Sequence, residues 1–263
     1  MSLAYAPDGL IGVLAPQANT TVEPEMAILL PPRMAMIAAR LTSAKPAMND
    51  RLVDYVTGLD ATVAQFANAP IAAIAFACTG SSYLVGTDAE DRAVARHSAR
   101  APFVTAGLAV CDALRALGAR RIGLVSPYPA DLTEASAGYW TARGFDVGRI
   151  VTAAPPDGAF HPIYALSADA AMAALAGMEG ARFATSVDAI VMLGTGMPSL
   201  GPILARPAVD GAPVISCLLA LAWRSVCAAL GDAPDGASLR RWIAGEGWGA
   251  RYRARMAGSV RVS

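Results

Sequence analysis

Charged side chains are scarce in this sequence, and neither sign is in excess. They make up 16% of the 263 residues, and 21 basic residues balance 21 acidic ones, so the formal net charge is zero. Nucleic acids and anionic membranes attract proteins through positive surface charge. The sequence therefore predicts neither partner, and a small neutral or anionic molecule is the expected ligand.

Long apolar segments are absent as well. Although 55% of the residues are hydrophobic, Gly, Pro or Arg breaks the longest stretches before the length of about 18 residues that a membrane-spanning helix requires. Residues 1–12 lack the basic start and the apolar core of a signal peptide. We therefore expect a cytoplasmic protein that does not span a membrane, and we leave a homo-oligomer open.

Residues that bind metals or organic cofactors are few. The cysteines, histidines and lysine of the sequence are Cys78, Cys111, Cys217, Cys227, His97, His161 and Lys45. No two cysteines have the CxxC spacing of a structural zinc site, and a single lysine gives little support for Schiff-base chemistry with pyridoxal phosphate. We therefore predict free thiols and no metal site.

Short apolar segments alternate with Ala- and Leu-rich segments of helical length. This alternation predicts βαβ units, and hence an α/β fold whose parallel sheets are covered on both faces. The eight predicted strands are Ile11–Ala15, Met34–Leu41, Ile71–Cys78, Phe103–Thr105, Ile122–Ser126, Val147–Val151, Ala189–Leu193 and Val214–Cys217. The eight predicted helices cover residues 22–31, 50–68, 88–100, 106–118, 131–144, 167–180, 198–206 and 218–231.

Two sequence matches at one offset indicate an internal duplication. The segment Ile11–Pro16 (IGVLAP) reappears as Ile122–Pro127 (IGLVSP), and Ala101–Thr105 (APFVT) reappears as Ala212–Ser216 (APVIS), in both cases 111 residues later. Coincidence is the alternative, because apolar strands that end in Pro or a small residue are common in doubly wound proteins. We favour duplication into two pseudo-symmetric halves.

The duplication divides the chain into residues 1–118 and 119–239, with 212–231 as a segment that could cross back to the first half. Ligands of open α/β sheets bind beyond the carboxyl ends of the strands, so two facing halves predict one active-site cleft between them. The basic tail, residues 240–263, is either a solvated appendage, which we favour, or a segment that packs on the body or on a partner subunit.

A third match relates the ends of two strands. The segment Ala77–Gly80 (ACTG) corresponds to Leu193–Gly196 (LGTG) at an offset of 116 residues, which places Cys78 opposite Gly194. The residues of the second segment that are expected to line the cleft are Gly194, Thr195 and Gly196.

Cys78 is the strongest candidate for a reactive group. It follows an apolar strand, and Thr79, Gly80 and Ser81 come directly after it. Their amide and hydroxyl groups are suited to bind a carboxylate or a developing enolate, and such donors can lower the pKa of a thiol towards neutrality. The structural alternative is that Cys78 is a small core residue.

Two further strand-end loops carry candidate ligand-binding residues. Gln17 and Asn19 precede a predicted helix and could hydrogen-bond an anion, although Asn19 could equally serve only as a helix cap. Tyr128 occupies the repeat-related position of the second half, where a buried packing role is the alternative.

Taken together, these motifs resemble the maleate cis-trans isomerases of the aspartate/glutamate racemase superfamily, with the arylmalonate decarboxylases close by. The motifs are QANTTVEPE at 17–25, ACTGSSY at 77–83, SPY at 126–128 and MPSL at 197–200, and the resemblance spans roughly residues 10–230. It implies the duplicated fold, a small carboxylate or dicarboxylate as substrate, and no metal or organic cofactor.

The resemblance also implies residue roles. Cys78 would attack the double bond of the substrate, while Asn19 and Tyr128 would hold it. Thr79 would bind a substrate carboxylate with them.

The sequence departs from that pattern at two positions. The second thiol of racemases and maleate isomerases falls at Gly194, and a substrate-binding Asn of the isomerases falls at Gly158. Two-base racemisation is disfavoured without the second thiol, because it needs an acid and a base on opposite faces of one carbon. His161 and Cys217 are candidates to replace the missing groups, with ordinary loop and core roles as their alternatives.

Three hypotheses follow. The first is a cofactor-independent isomerase of small unsaturated dicarboxylates that uses Cys78. The second is a decarboxylase of disubstituted malonates in which Cys78 is the sole proton donor. The third is a non-catalytic protein that binds small acids and that lost catalysis with the second thiol.

Overall fold

Two mostly parallel sheets form the framework of the fold, and the computed structural model describes residues 3–155, 161–180 and 186–257. The strands are β1 (Gly9–Pro16), β2 (Met34–Leu41), β3 (Ile71–Phe76), β4 (Phe103–Thr105), β5 (Arg121–Ser126), β6 (Asp146–Thr152), β7 (Ala189–Met192), β8 (Ala208–Val209) and β9 (Ala212–Ser216). The predicted α/β class is confirmed. Gly158 lies outside the described residues.

Each sheet has the same strand order. The first runs β2-β1-β3-β4 and the second runs β6-β5-β7-β9, with the short antiparallel β8 added at its edge. β1 and β5 therefore occupy equivalent places, as do β3 and β7, which agrees with the sequence matches. In each sheet, the connections that follow the two inner strands lead to opposite edges of the sheet. Ligands of α/β proteins bind in the crevice between two such strands.

Helices cover both sheets. They are α1 (Val22–Leu29), α2 (Met48–Thr57), α3 (Leu59–Ala64), α4 (Thr79–Val85), α5 (Thr87–His97), α6 (Ala106–Leu117), α7 (Ala130–Ala142), α8 (Ala168–Ala176), α9 (Leu200–Ala205), α10 (Cys217–Leu230), α11 (Gly236–Ile243) and α12 (Gly249–Ala257). The predicted helix 50–68 is two helices that meet at Gly58, and α4 was predicted as a loop. No helix in the described part of the chain is long and apolar enough to cross a membrane.

Helix α10 packs against the first half, although the strand before it belongs to the second sheet. It contacts β3, α6 and α1 and is buried along most of its length. β9 pairs in the second sheet, whereas α10 packs on the first half, and the crossing of residues 212–231 as a unit stays a prediction. The division into halves at residues 118 and 239 stays a prediction.

The described part of the carboxy-terminal tail packs on the body, so the expectation of a solvated appendage is wrong for residues 240–257. Ile243 and Trp248 are buried. Arg251 donates hydrogen bonds to the carbonyl oxygens of Ile28 (2.8 Å) and Leu30 (2.9 Å), and it thereby caps the carboxyl end of α1.

A buried carboxylate joins α1 of the first half to the start of α9 in the second. Glu25 Oε1 accepts hydrogen bonds from the amides of Ser199 (2.7 Å) and Leu200 (3.2 Å), and its Oε2 accepts one from the Ser199 hydroxyl (3.0 Å). Burial raises the pKa of Glu25 to about 7, although these hydrogen bonds oppose the rise. The contact fixes the loop before α1 against the loop before α9.

We expect Glu25→Gln to remove a pH dependence of stability. Glu25 has a pKa of about 7 in the folded chain and about 4.3 in the unfolded chain. At a pH between these two values the Glu25 carboxyl group is protonated in the native state and ionised in the unfolded state. The free energy of unfolding should therefore fall by on the order of 3 kcal/mol as the pH rises through this window. Gln keeps the side-chain shape and does not ionise.

Urea unfolding of both proteins at pH 4.5 and pH 8 measures this difference. Glu246→Gln, on the exposed surface, controls for the loss of one negative charge. A wild type and a Glu25→Gln variant with the same pH dependence would contradict the prediction.

Candidate active site

The carboxyl ends of the inner strands meet in one cleft, which encloses a cavity of about 70 Å³. Its lining comes from both halves of the chain. The lining residues are Pro16, Gln17, Ala18, Met48, Arg51, Leu52, Tyr55, Cys78, Thr79, Gly80, Tyr128, His161, Ile163, Tyr164, Gly194, Thr195 and Gly196. The cleft predicted between two facing halves is therefore present.

Cys78 lies directly before α4 at the base of this cleft and is 4% exposed. Burial raises the pKa of its thiol above the ordinary value, and hydrogen bonds from Ser81 and from the Gly80 amide offset only part of that rise. The expected lowering of the pKa is therefore wrong in direction. The thiol is neutral at neutral pH unless another group stabilises its ionised form.

Ser81 stands behind Cys78 and is fully buried. Its Oγ lies 3.1 Å from Cys78 Sγ and 2.7 Å from the carbonyl oxygen of Leu52 in α2. The hydroxyl has a single proton to share between these two acceptors. Ser81 thus contacts the sulfur of Cys78 and does not itself line the cleft.

The opposite wall of the cleft carries a phenol. Tyr128 is buried, and its hydroxyl lies 2.8 Å from Oγ1 of Thr79, the residue after Cys78, so a hydrogen bond joins the two halves there. Burial raises the pKa of Tyr128 well above the ordinary value, which keeps the phenol protonated. The pair places two hydroxyl groups beside the thiol.

A second hydrogen-bond chain crosses between the halves. Asn19 Nδ2 donates to Thr195 Oγ1 (3.3 Å), and that hydroxyl donates to the carbonyl oxygen of Ala77 (2.7 Å), the residue before Cys78. Asn19 Oδ1 accepts from the amides of Thr21 (2.9 Å) and Val22 (3.1 Å) at the start of α1. Asn19 therefore caps the helix and also supports the thiol loop.

Glycine is required at two places in the lining. Gly194 has φ +79°, and a Cβ there would lie 3.0 Å from Pro127 Cγ and 3.1 Å from the Tyr128 hydroxyl. At Gly196 a Cβ would come within 2.5 Å of the Tyr164 ring. The position of the missing second thiol is thus filled by the tyrosine on the neighbouring loop.

A comparison with protein families assigns the chain. The model of the arylmalonate decarboxylase family matches residues 11–239, which includes every strand of both sheets except the first two residues of β1. The chain belongs to this family.

The curated relatives that match this sequence are maleate isomerases. The isomerase of Pseudomonas putida KT2440 is 30% identical over 150 residues, which are 52% of this chain and 60% of the relative. The isomerase of Geobacillus stearothermophilus is 27% identical over 161 residues, or 56% and 64% of the two chains. The matched part of this family member thus spans less than two thirds of either relative.

Solved structures match over more of the chain. The maleate isomerase Iso of Pseudomonas putida S16 has a TM-score of 0.74 at 26% identity and covers 85% of this chain and 93% of its own. A variant of that enzyme, solved with maleate, has a TM-score of 0.76 at 25% identity over 90% and 98% of the chains. Arylmalonate decarboxylase, at 21% identity and a TM-score of 0.65 over 85% and 94%, shares the fold.

Most of the site residues predicted for this family member line the cleft. Among them are Gln17, which also accepts a hydrogen bond from the Ser43 amide (2.8 Å), and the strand-end residues on both sides. Asn19 and Ser81 lie one layer behind. The described residues contain no cluster of three or more His, Cys, Asp or Glu that could hold a metal.

His161 and Cys217, the candidates to replace the second thiol and the substrate-binding Asn, have different environments. His161 lines the cleft, and its Nδ1 accepts hydrogen bonds from the amides of Ile163 (3.1 Å) and Tyr164 (3.3 Å), which leaves the ring proton on Nε2. Cys217 is fully buried beside Thr79 and Gly194 and does not line the cleft. Burial raises the pKa of the Cys217 thiol to about 12.

Sequence reasoning missed the wall that α2 contributes. Met48, Arg51, Leu52 and Tyr55 all line the cleft, and their spacing puts them on one face of the helix. The available signal was Arg51, a charged residue among three apolar or aromatic ones on that face. Tyr164, which stacks on His161 with ring centroids 4.0 Å apart, carried no such signal.

We expect Gly194→Ala to impair the fold and the site together. A left-handed backbone costs a residue with a Cβ about 1–2 kcal/mol, and the contact with the Tyr128 hydroxyl adds to that cost. Gly118→Ala is the matched control, because Gly118 has φ +72° and a Cβ there would meet nothing within 4 Å.

The free energy of unfolding, measured in urea, should be lower for Gly194→Ala than for Gly118→Ala by about 1 kcal/mol or more, because close packing in the cleft resists the added methyl group. If the two variants lose the same free energy of unfolding, Tyr128 moves aside without cost and the prediction is wrong.

Proposed function

We propose that this chain is a cofactor-independent, cysteine-dependent cis-trans isomerase of small unsaturated dicarboxylates. The observation that carries the proposal is the position of Cys78, a buried thiol that lines the cleft beside Ser81, Gly80 and the Thr79–Tyr128 pair. The similarity to maleate isomerases, one of them solved with maleate, supports the same class of substrate.

The reaction needs one nucleophile. The Cys78 thiolate adds to one carbon of the double bond, and the π electrons move into the neighbouring carboxylate, which becomes an enediolate. Rotation about the resulting single bond follows, and the electrons then return, re-form the double bond in the trans geometry and expel the thiolate. No proton is gained or lost overall.

Groups around Cys78 are suited to the charge that develops. The Thr79 and Tyr128 hydroxyls lie at the cleft surface and can donate to carboxylate oxygens. Gly194 and Gly196 let the opposite loop approach closely, so that Gly194, Thr195 and Gly196 all line the same cavity. We assign substrate binding to these groups and catalysis to Cys78 with Tyr128.

Two observations favour a second candidate, decarboxylation of disubstituted malonates. The arylmalonate decarboxylase family model covers the cleft residues, and burial keeps the Cys78 thiol protonated, as a proton donor requires. In this reaction the C–C bond to one carboxylate breaks, carbon dioxide leaves, and Cys78 protonates the enediolate that remains. No feature of the described cleft favours the non-catalytic hypothesis.

We expect Cys78→Ala to abolish turnover, because both mechanisms need the sulfur. The test incubates the protein with maleate, substituted maleates and aryl- or alkylmalonates and follows the products by NMR. Fumarates indicate the isomerase, and carbon dioxide with a monoacid indicates the decarboxylase. Cys227→Ala is the control, since Cys227 lies in α10 away from the cleft lining and should keep full activity. Turnover that survives Cys78→Ala would overturn both candidates.

The pH dependence of kcat/KM separates the two roles of the thiol. The nucleophile must be ionised, and the pKa of Cys78 is raised, so isomerisation should accelerate as the pH rises from neutrality into the alkaline range. Proton donation needs the thiol form, so decarboxylation should be level near neutrality and decline at alkaline pH. Rates measured on the active substrate between pH 6 and pH 10 decide between these profiles.

A further inference from the structure

We infer that Arg51 selects substrates that carry a second anionic group at the mouth of the cleft. This inference rests on the proposed function, because it names the substrate feature that the same cavity recognises. It predicts a short diacid with its carboxylates on different carbon atoms, one beside Cys78 and one beside Arg51.

Arg51 dominates the charge of the cleft. The described lining residues include no Asp, Glu or Lys, and Arg51 is the one among them that carries a charge at neutral pH. His161 is neutral there, because burial and the Arg51 charge both lower its pKa. Among the described lining residues, a substrate anion therefore meets one positive side chain and no negative one.

The guanidinium is held in place from one side. Arg51 Nη1 donates to the carbonyl oxygens of Pro46 (2.7 Å) and Lys45 (3.3 Å), which precede α2. Nε and Nη2 have no hydrogen-bond partner among the described residues, and the side chain is partly buried. These nitrogens have the planar geometry that binds a carboxylate with two parallel hydrogen bonds.

The charge of Arg51 reaches several walls of the cavity. Burial raises the pKa values of Tyr55 and Tyr164, and the nearby Arg51 opposes the rise at both. The Arg51 charge therefore acts on Tyr55, His161 and Tyr164, all of which line the cavity. A neutral aryl group would gain only a weak cation–π contact from this charge, whereas a carboxylate would form charge-assisted hydrogen bonds with it.

The experiment compares maleate with its monomethyl ester, which has lost one charge. In the wild type we expect KM for maleate to be lower than KM for the ester by on the order of tenfold, which is a modest ion pair at a partly exposed site. Arg51→Gln should raise KM for maleate by about that factor, leave kcat within about twofold and hardly change the ester. Arg51→Lys should recover part of the preference.

Arg33→Gln is the matched control for net charge, because Arg33 is exposed and pairs with Asp8 at the opposite end of β1. It should leave both KM values unchanged. If Arg51→Gln changes KM for the two acids by the same factor, or changes neither, the inference is wrong while the isomerase proposal stands.

Binding measured without turnover keeps the two questions apart. Calorimetry with Cys78→Ala and with Cys78→Ala/Arg51→Gln gives dissociation constants for both acids, whatever the wild type catalyses. A wild type that converts neither acid would contradict the isomerase proposal. A Cys78→Ala protein that does not bind maleate more tightly than the ester would overturn the role of Arg51.

Discussion

The cleft depends on hydrogen bonds that cross between the two halves of the chain. Thr79 pairs with Tyr128, Asn19 reaches Ala77 through Thr195, and Glu25 binds the start of α9. Separation of the halves would exchange these buried hydrogen bonds for hydrogen bonds to water, at a net cost of about 0.5–1.5 kcal/mol for each. The same contacts that hold the halves together also set the distance between the thiol and the opposite wall.

The wall around Gly194 leaves no room for a second side chain opposite Cys78. At Gly194 the backbone has a left-handed conformation and the Tyr128 hydroxyl occupies the space where a side chain would begin. The described lining is therefore asymmetric, because it contains one thiol, Cys78, and no second thiol to match it, whereas the protonated Tyr128 phenol adjoins Gly194. Chemistry that needs a base on both faces does not fit this geometry. Addition and elimination, or a single protonation, need Cys78 on one face only.

The sequence patterns predicted the repeat, the strand ends and about half of the lining residues, since buried parallel strands leave strong local signals. Helix α4 was missed because Gly80, Ser81 and Ser82 have low helix propensity, and it forms because tertiary burial outweighs that preference. The Glu25–Ser199 contact joins residues 174 apart, so no local pattern encodes it. The wall formed by α2 became visible only when the fold brought it to the strand ends.

Ser81 reconciles a buried neutral thiol with a nucleophilic role. While Cys78 is protonated, the thiol can donate to Ser81 Oγ and the serine proton can point to the Leu52 carbonyl at 2.7 Å. When Cys78 ionises, that proton can turn towards the sulfur at 3.1 Å. Leu52 lies inside α2, where the amide four residues later still bonds its carbonyl, so no buried acceptor is left without a partner. Rotation of one hydroxyl thus offsets part of the burial cost of the thiolate.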